Sequence, residues 1–331
     1  MMKLKYFIGI DVSKAKLDAA WLKDVQAYRY RSKVLGNNPK GCLQLLDWIR
    51  KNITTDLAEI GVVMEATGVY HELIAHFLHD NGIQVSIVNP ARIAEFAKSL
   101  GTVHKTDKSD SQVLARYGAT VSFPLWRPEP LPLRQLKAKI ARMDALQTDW
   151  QREENRLEKA RIGSAPDEVV LSIRQIQTAI SDSMAELQRD IDEHIDCHPD
   201  LKHDIELLKT IPGVGDAVAP RMALLYRSRP FRSAAQMAAF LGLVPKERTS
   251  GQYRGKVRLS KQGNSKFRAL LYMPAVVAKG CNPDIRACCE RLLARGKSKM
   301  QAIGAAMRRL VHICFGVLKH QTVYQARTVN F

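Results

Sequence analysis

Four acidic residues stand where chemistry would need them: Asp11, Glu65, Asp107 and Asp110. Asp11 follows the apolar run Tyr6-Phe7-Ile8-Gly9-Ile10, and Glu65 follows Gly61-Val62-Val63-Met64. The other two lie three apart in Lys105-Thr106-Asp107-Lys108-Ser109-Asp110. A carboxylate at the tip of a buried strand is costly unless a positive charge neutralises it. Divalent cations would do so, and Mg²⁺ or Mn²⁺ prefers hard oxygen donors of this kind. Two such ions about 4 Å apart can polarise a phosphodiester and stabilise the oxygen that leaves it. Each acid taken singly has an ordinary explanation as a cap or an ion-pair partner; four together at element ends point to a metal site.

Those acids need a frame, and the apolar pattern supplies one. Residues 6–10, 16–23 and 27–34 read as three successive strands, while 59–64 and 85–88 are apolar enough for strands covered on both faces. Helices are expected at 39–52, with Leu43, Leu46 and Ile49 on one face, at 70–80, near 91–100 and at 109–119. Ser109 and Gln112 have capping-box spacing at the start of the last of these. A three-strand meander followed by alternating strands and helices is the order of a ribonuclease-H-like α/β fold. Its central first strand takes a parallel neighbour, which would bring Asp11 and Glu65 together, while Asp107 and Asp110 share a helix face at i,i+3.

A proline-rich stretch at 123–132 marks a boundary. Beyond it, Leu133, Leu136, Ile140, Met143, Trp150 and Leu157 recur at helical spacing, as do Val169, Ile173, Ile176, Ile180, Met184, Leu187, Ile191 and Ile195. Two long helices follow, joined at Gly163-Ser164-Ala165-Pro166, forming a coiled coil or helical hairpin that pairs within the chain or between chains. Residues 203–210, Ile211-Pro212-Gly213-Val214-Gly215 and 216–226 read as a helix-hairpin-helix. Gly213 and Gly215 would let backbone N–H groups approach a phosphate. Further helices are expected at 267–278 and 300–318. Three regions result: a metal-binding domain at 1–128, a helical oligomerisation region at 129–200 and a mainly helical basic domain at 201–331.

The 331 residues carry a formal charge of +18, and it is uneven. From Lys246 onward there are 18 Lys and Arg against three acids, so +15 of the charge lies there. A glycine-punctuated basic segment suits nucleic acid better than a membrane surface. Lys105, Arg254, Lys256, Arg258, Lys261, Lys266 and Arg268 are candidate phosphate contacts, which fix position without reading sequence. The six cysteines form no C-x-x-C pair, which disfavours zinc and suggests reduced thiols in a cytosolic protein. Neither a signal peptide nor an apolar run of membrane-spanning length is visible.

These segments resemble a known family. Ile8-Gly9-Ile10-Asp11-Val12-Ser13-Lys14, Met64-Glu65-Ala66-Thr67-Gly68-Val69-Tyr70, Val88-Asn89-Pro90 and Lys105-Thr106-Asp107-Lys108-Ser109-Asp110 are similar to blocks of the DEDD transposases of bacterial insertion sequences. Those enzymes are related to the Piv/MooV invertases and include bridge-RNA-guided DNA recombinases. The likeness continues through Ile211-Pro212-Gly213-Val214-Gly215, Ala239-Phe240-Leu241-Gly242-Leu243-Val244-Pro245 and Ser260-Lys261-Gln262-Gly263 to Leu270-Leu271-Tyr272-Met273-Pro274-Ala275.

The resemblance implies a RuvC-like first domain holding Asp11, Glu65, Asp107 and Asp110, and a C-terminal transposase domain with a nucleophilic serine. By its position after Pro245 that serine is Ser250; from the residues alone, Ser260 and Ser265 stay open. Arg248, Arg254 and Lys256 would stabilise phosphorane charge beside it. The implied reaction is strand exchange through a phosphoserine, with target and donor DNA chosen by a structured noncoding RNA. Also implied are a homodimer that becomes a tetramer in the synaptic complex, a composite site, and cytoplasmic action on the nucleoid. A RuvC-like nuclease that hydrolyses DNA with water is the alternative enzyme, and a nucleic-acid scaffold without chemistry is the alternative of another class.

Overall fold

Along residues Tyr6–Val12 (β1), Ile8, Ile10 and Val12 are buried on one face and alternate with Gly9 and Asp11 on the other. That period of two is the geometry of a β-strand, whose successive side chains point to opposite faces. The computed structural model describes residues 4–66, 68–101, 107–121, 125–246, 249–250, 253–254, 258–260 and 263–326. Its chain divides into two units, Met1–Pro128 and Glu129–Phe331.

In the first unit β1 pairs antiparallel with β2 (Lys16–Asp24), which pairs antiparallel with β3 (Arg29–Gly36). On its other side β1 pairs parallel with β4 (Ile60–Glu65), and β4 pairs parallel with β5 (Gln84–Val88). The five-stranded order β3-β2-β1-β4-β5 is that of a ribonuclease-H-like sheet. Cys42, Leu45 and Ile49 of α1 (Pro39–Asn52), with Ile74 and Leu78 of α2 (Glu72–Asp80), cover the face carrying Ile8, Ile10, Val62 and Met64. Ile93 of α3 (Pro90–Ser99) and Val113, Leu114 and Tyr117 of α4 (Asp107–Thr120) cover the face carrying Val63 and Val88.

Two expectations need correction. Leu43 is 57% exposed, because the buried stripe of α1 runs through Cys42, Leu45, Leu46, Trp48 and Ile49. Ser109 is not a cap: α4 already includes Asp107, so Ser109 lies inside the helix and Asp107 and Asp110 belong to its first turns.

The second unit starts with the helices α5 (Leu131–Ile162) and α6 (Asp167–Asp196), packed along each other. Less exposed positions of α6 fall at Ile173, Gln177, Ile180, Met184, Leu187 and Ile191, alternate steps of four and three, while Val169 and Ile176 face solvent. Gln177 fits the seam because its Nε2 donates to Glu154 Oε2 at 2.7 Å. Next come α7 (Pro199–Lys209), α8 (Ala219–Ser228) and α9 (Ala234–Phe240). Four two-residue strands follow, β6 (Pro245–Lys246), β7 (Thr249–Ser250), β8 (Tyr253–Arg254) and β9 (Arg258–Leu259). The chain ends in α10 (Ser265–Cys281), α11 (Pro283–Ala294) and α12 (Lys299–His320). Leu133, Leu136, Ile140, Met143 and Ile191, at the open end of the α5/α6 hairpin, share one core with α7, α8, α10 and α12. Among the described residues no helix is long and apolar enough to cross a membrane.

One buried polar group ties the ends of this unit. Asp204 of α7 is 1% exposed; it accepts from Arg227 Nε of α8 and, at 3.0 Å, from Gln321 Nε2 beyond α12. Asp204→Asn leaves the guanidinium without its carboxylate and should cost about 2 kcal/mol. Thermal unfolding reads this directly, and an unchanged midpoint would mean the network contributes nothing.

Candidate active site

The phase of β1 decides what the site can be. Gly9 shares the α4 face with Asp11, and its register partner Ala20 is the small residue beside it on β2. A Cβ at Gly9 would overlap the Ser111 carbonyl oxygen and the Ala115 amide nitrogen, and would lie 2.7 Å from Leu114 Cβ. Helix α4 therefore rests directly on the backbone of β1, two residues before Asp11. Its first turns, carrying Asp107 and Asp110, immediately precede the contact residue Ser111.

The register completes the row. Because Ile10 pairs with Met64, Asp11 and Glu65 are neighbours one position further on. Adjacent strands lie about 4.8 Å apart, and registered residues share a face. Both side chains are half-buried, as is that of Asp110. The Asp107 side chain and the whole of Lys105 lie outside the described residues. Among the described residues no group of three or more His, Cys, Asp or Glu is placed to hold an ion. The donors that fit a hard divalent cation there are the adjacent carboxylates of Asp11 and Glu65, whose like charges favour a cation between them.

A further acid shares this face. Asp18 pairs in register with Asp11, so Asp18, Asp11 and Glu65 occupy three adjacent strands. Asp18 is 8% exposed, and Lys16 Nζ lies 3.1 Å from its Oδ2. Sequence reasoning passed over it. The available signal was an acid between Leu17 and Ala19, in phase with the solvent-poor side of a strand.

The serine belongs to the other unit. Ser250 pairs with Tyr253 in the β7–β8 ribbon, and the β6–β9 pair encloses that ribbon in sequence. The base of this arm is fixed to the core: Leu259 packs against it, and the Ser260 N–H donates to the Val244 carbonyl at 2.8 Å. Side chains of Ser250, Arg254 and Arg258 are outside the described part, as are Arg248, Lys256 and Lys261 entirely. Lys266 is exposed at the start of α10. Arg268 is half-buried and donates from Nη1 to the carbonyls of Leu241 (3.2 Å) and Gly263 (3.0 Å). Gly213 has φ +96°, and a Cβ there would lie 2.7 Å from Ala278 Cβ, so α10 occupies its open side. A Cβ at Gly215 would meet nothing within 4 Å.

Three of the thiols are poor nucleophiles. All six cysteines are unbridged. Burial pushes the Cys42 and Cys289 thiols up and that of Cys314 up to about 12, which suppresses their thiolates.

Adjacent carboxylates on the central strands of a ribonuclease-H-like sheet are thus followed by a basic, mainly helical unit. Residues 8–160 match the DEDD transposase family of the IS110 type, and residues 205–290 match the transposase IS116/IS110/IS902 family. The chain is 33% identical over 328 residues to the pilin gene-inverting proteins of Moraxella bovis and Moraxella lacunata, covering 98% of its own length and 98% of theirs. RuvC of T. thermophilus in complex with Holliday junction substrate aligns with a TM-score of 0.28 and 13% identity, over 37% of this chain and 100% of that one. On the sequence matches, the chain belongs to the IS110-type DEDD transposases.

Proposed function

We propose that this protein cuts and exchanges DNA strands through a covalent phosphoserine at Ser250, with Mg²⁺ or Mn²⁺ held by Asp11, Glu65, Asp107 and Asp110. Target and donor DNA are selected by a structured noncoding RNA. The observation that carries the reading is the placement of Asp11 beside Glu65 on the face that α4 covers. Bound there, divalent cations supply charge that polarises the phosphodiester.

Ser250 Oγ attacks phosphorus and gives up its proton to solvent. The bond from phosphorus to the leaving deoxyribose oxygen breaks, and that oxygen takes up a proton. A phosphoserine and a free hydroxyl result. The hydroxyl of a partner strand then reverses the step, so bond energy is conserved and no nucleotide is consumed. Arg248, Arg254 and Lys256 offset the charge that gathers on the phosphorane. Lys105, Arg258, Lys261 and Lys266 contact phosphates, and Gly215, with open space around it, gives the α7–α8 turn its approach to a backbone as a helix-hairpin-helix. The α5/α6 hairpin serves as the coiled-coil contact of a homodimer, two of which form the synaptic tetramer.

Asp11→Asn tests the reading. Strand cleavage should fall on the order of 10³-fold, the several kcal/mol that bound cations contribute. Mn²⁺ should raise the thermal midpoint of the parent protein by preferential binding to the folded state, and leave that of the variant unmoved. Affinity for DNA in metal-free buffer should be unchanged or slightly higher, since one negative charge is gone. A variant that cleaves normally, or a parent protein indifferent to Mn²⁺ and Mg²⁺, defeats the proposal.

A further inference from the structure

The C-terminal half of α12 forms one wall of an open cleft of about 590 Å³ in the second unit. The other walls are the residues leading into α9, the start of α11 and the extended segment 322–325. Arg232, Arg309 and Lys319 line it together with His312 and His320, and among the described lining residues Asp284 carries the one carboxylate. That carboxylate is already engaged. Arg309 Nη2 lies 3.5 Å from its Oδ1, and the Tyr324 hydroxyl donates to its Oδ2 at 2.9 Å. Burial, and then this carboxylate, push the Tyr324 hydroxyl up to about 12, so it stays a donor. The Tyr324 N–H donates to Thr210 Oγ1 at 2.9 Å, which ties the tail to α7's end and gives the cleft a preformed wall.

Behind the lining of this cleft lies one unpartnered polar atom. His312 Nε2 is buried and has no hydrogen-bond partner among the described residues. Burial, with the charges of Arg308 and Arg309, keeps its ring below the usual histidine range, hence neutral near pH 7. The cleft thus offers positive charge in excess of its carboxylate, and a phosphodiester, with its negative charge and several acceptor oxygens, complements it.

Its place in the fold suggests whose phosphodiester. Leu259, at the base of the Ser250-bearing arm, meets α12 at Gly304, where an added Cβ would lie 3.4 Å from its Cδ1. His312 follows eight residues later, about 12 Å along the helix axis. Arm and cleft are therefore stations on one helix.

We infer that this cleft is a further phosphate-binding site, gripping the backbone of a nucleic acid that also reaches the Ser250 arm. It rests on the recombinase reading above and names a surface for it. Duplex DNA and structured RNA share the chemistry, so each is tested separately. The triple variant Arg232→Gln/Lys319→Gln/His320→Gln leaves Arg309, Asp284 and Tyr324 in place. Full-length protein is titrated in metal-free buffer at pH 7.5 across a range of KCl, once with a short duplex from the element's end and once with its flanking noncoding RNA. Removing Arg232 and Lys319 leaves two phosphates without their neutralising cations. For the true occupant, the slope of log affinity against log salt should therefore flatten by about 1.8 for duplex DNA, or about 1.4 if the bound RNA is single-stranded. The thermal midpoint should not move. A slope unchanged for both nucleic acids overturns the inference while leaving the recombinase reading intact. A parent protein that binds neither nucleic acid overturns both.

Discussion

Ser250→Ala should leave no protein–DNA adduct and should lower strand joining by on the order of 10⁶-fold, the scale seen when an enzyme's covalent nucleophile is deleted. The effect is this large because the covalent route runs through that one hydroxyl. The thiols of Cys42, Cys289 and Cys314 are held protonated by burial. Ser260 follows the strand that closes the base of the arm, where its own N–H is bonded to Val244 O, and Ser265 opens α10. Ser260→Ala and Ser265→Ala should therefore join strands at parental rates. DNA affinity of Ser250→Ala should match that of the parent, since a hydroxyl adds little to a binding surface governed by phosphate charge. Denaturing gels of stalled reactions, with labelled DNA, read the adduct. Adducts that persist in the alanine variant refute the assignment of the serine. Cleavage that continues without any adduct would instead mean that water is the nucleophile and that the protein is a hydrolytic nuclease.

Much of the first unit was legible because its physics is local. The apolar runs at 6–10 and 59–64 and the helical spacing at 39–52 each specify an element without reference to the rest, although β1 extends to Val12. Asp18 was not legible in the same way. An acid inside a strand looks like any solvent-facing residue until the register with Asp11 and the approach of α4 show that the face is covered. The start of α4 was misplaced for a related reason: Ser109 has good capping chemistry, but Asp107 ahead of it also suits a helix N-terminus, and the longer helix prevails. In the second unit α9 and α11 went unread although Ser233 and Asn282 cap them, since helices of 7 and 12 residues carry little periodicity. The four two-residue strands of the arm are shorter than any alternation can reveal.

Gly9→Ala should cost about 3 kcal/mol or more in the stability of the first unit, at the upper end of overpacking effects. The decisive point is what the new methyl meets. Its nearest neighbours are backbone atoms of α4, the Ser111 oxygen and the Ala115 nitrogen, and neither can rotate away. No side-chain truncation on the helix relieves them, so Leu114→Ala should fail to rescue the variant. Gly61→Ala, on the neighbouring strand, is the matched control: its methyl would approach side-chain atoms, Leu4 Cδ1 at 3.0 Å and the edge of the Phe7 ring at 3.3 Å, which can give by a few tenths of an ångström. It should cost less than about 1 kcal/mol, by urea unfolding of both variants side by side. Molecules of Gly9→Ala that do fold must hold α4 further from β1, and with it Asp107 and Asp110 from Asp11 and Glu65. Since a displacement near 1 Å can cost roughly 10²-fold in rate, cleavage should drop more than the folded fraction does, and Mn²⁺ should stabilise the variant less than the parent. A Gly9→Ala protein with parental stability and parental response to Mn²⁺ would show that α4 does not rest on Gly9, and would remove the physical reason for grouping the four acids.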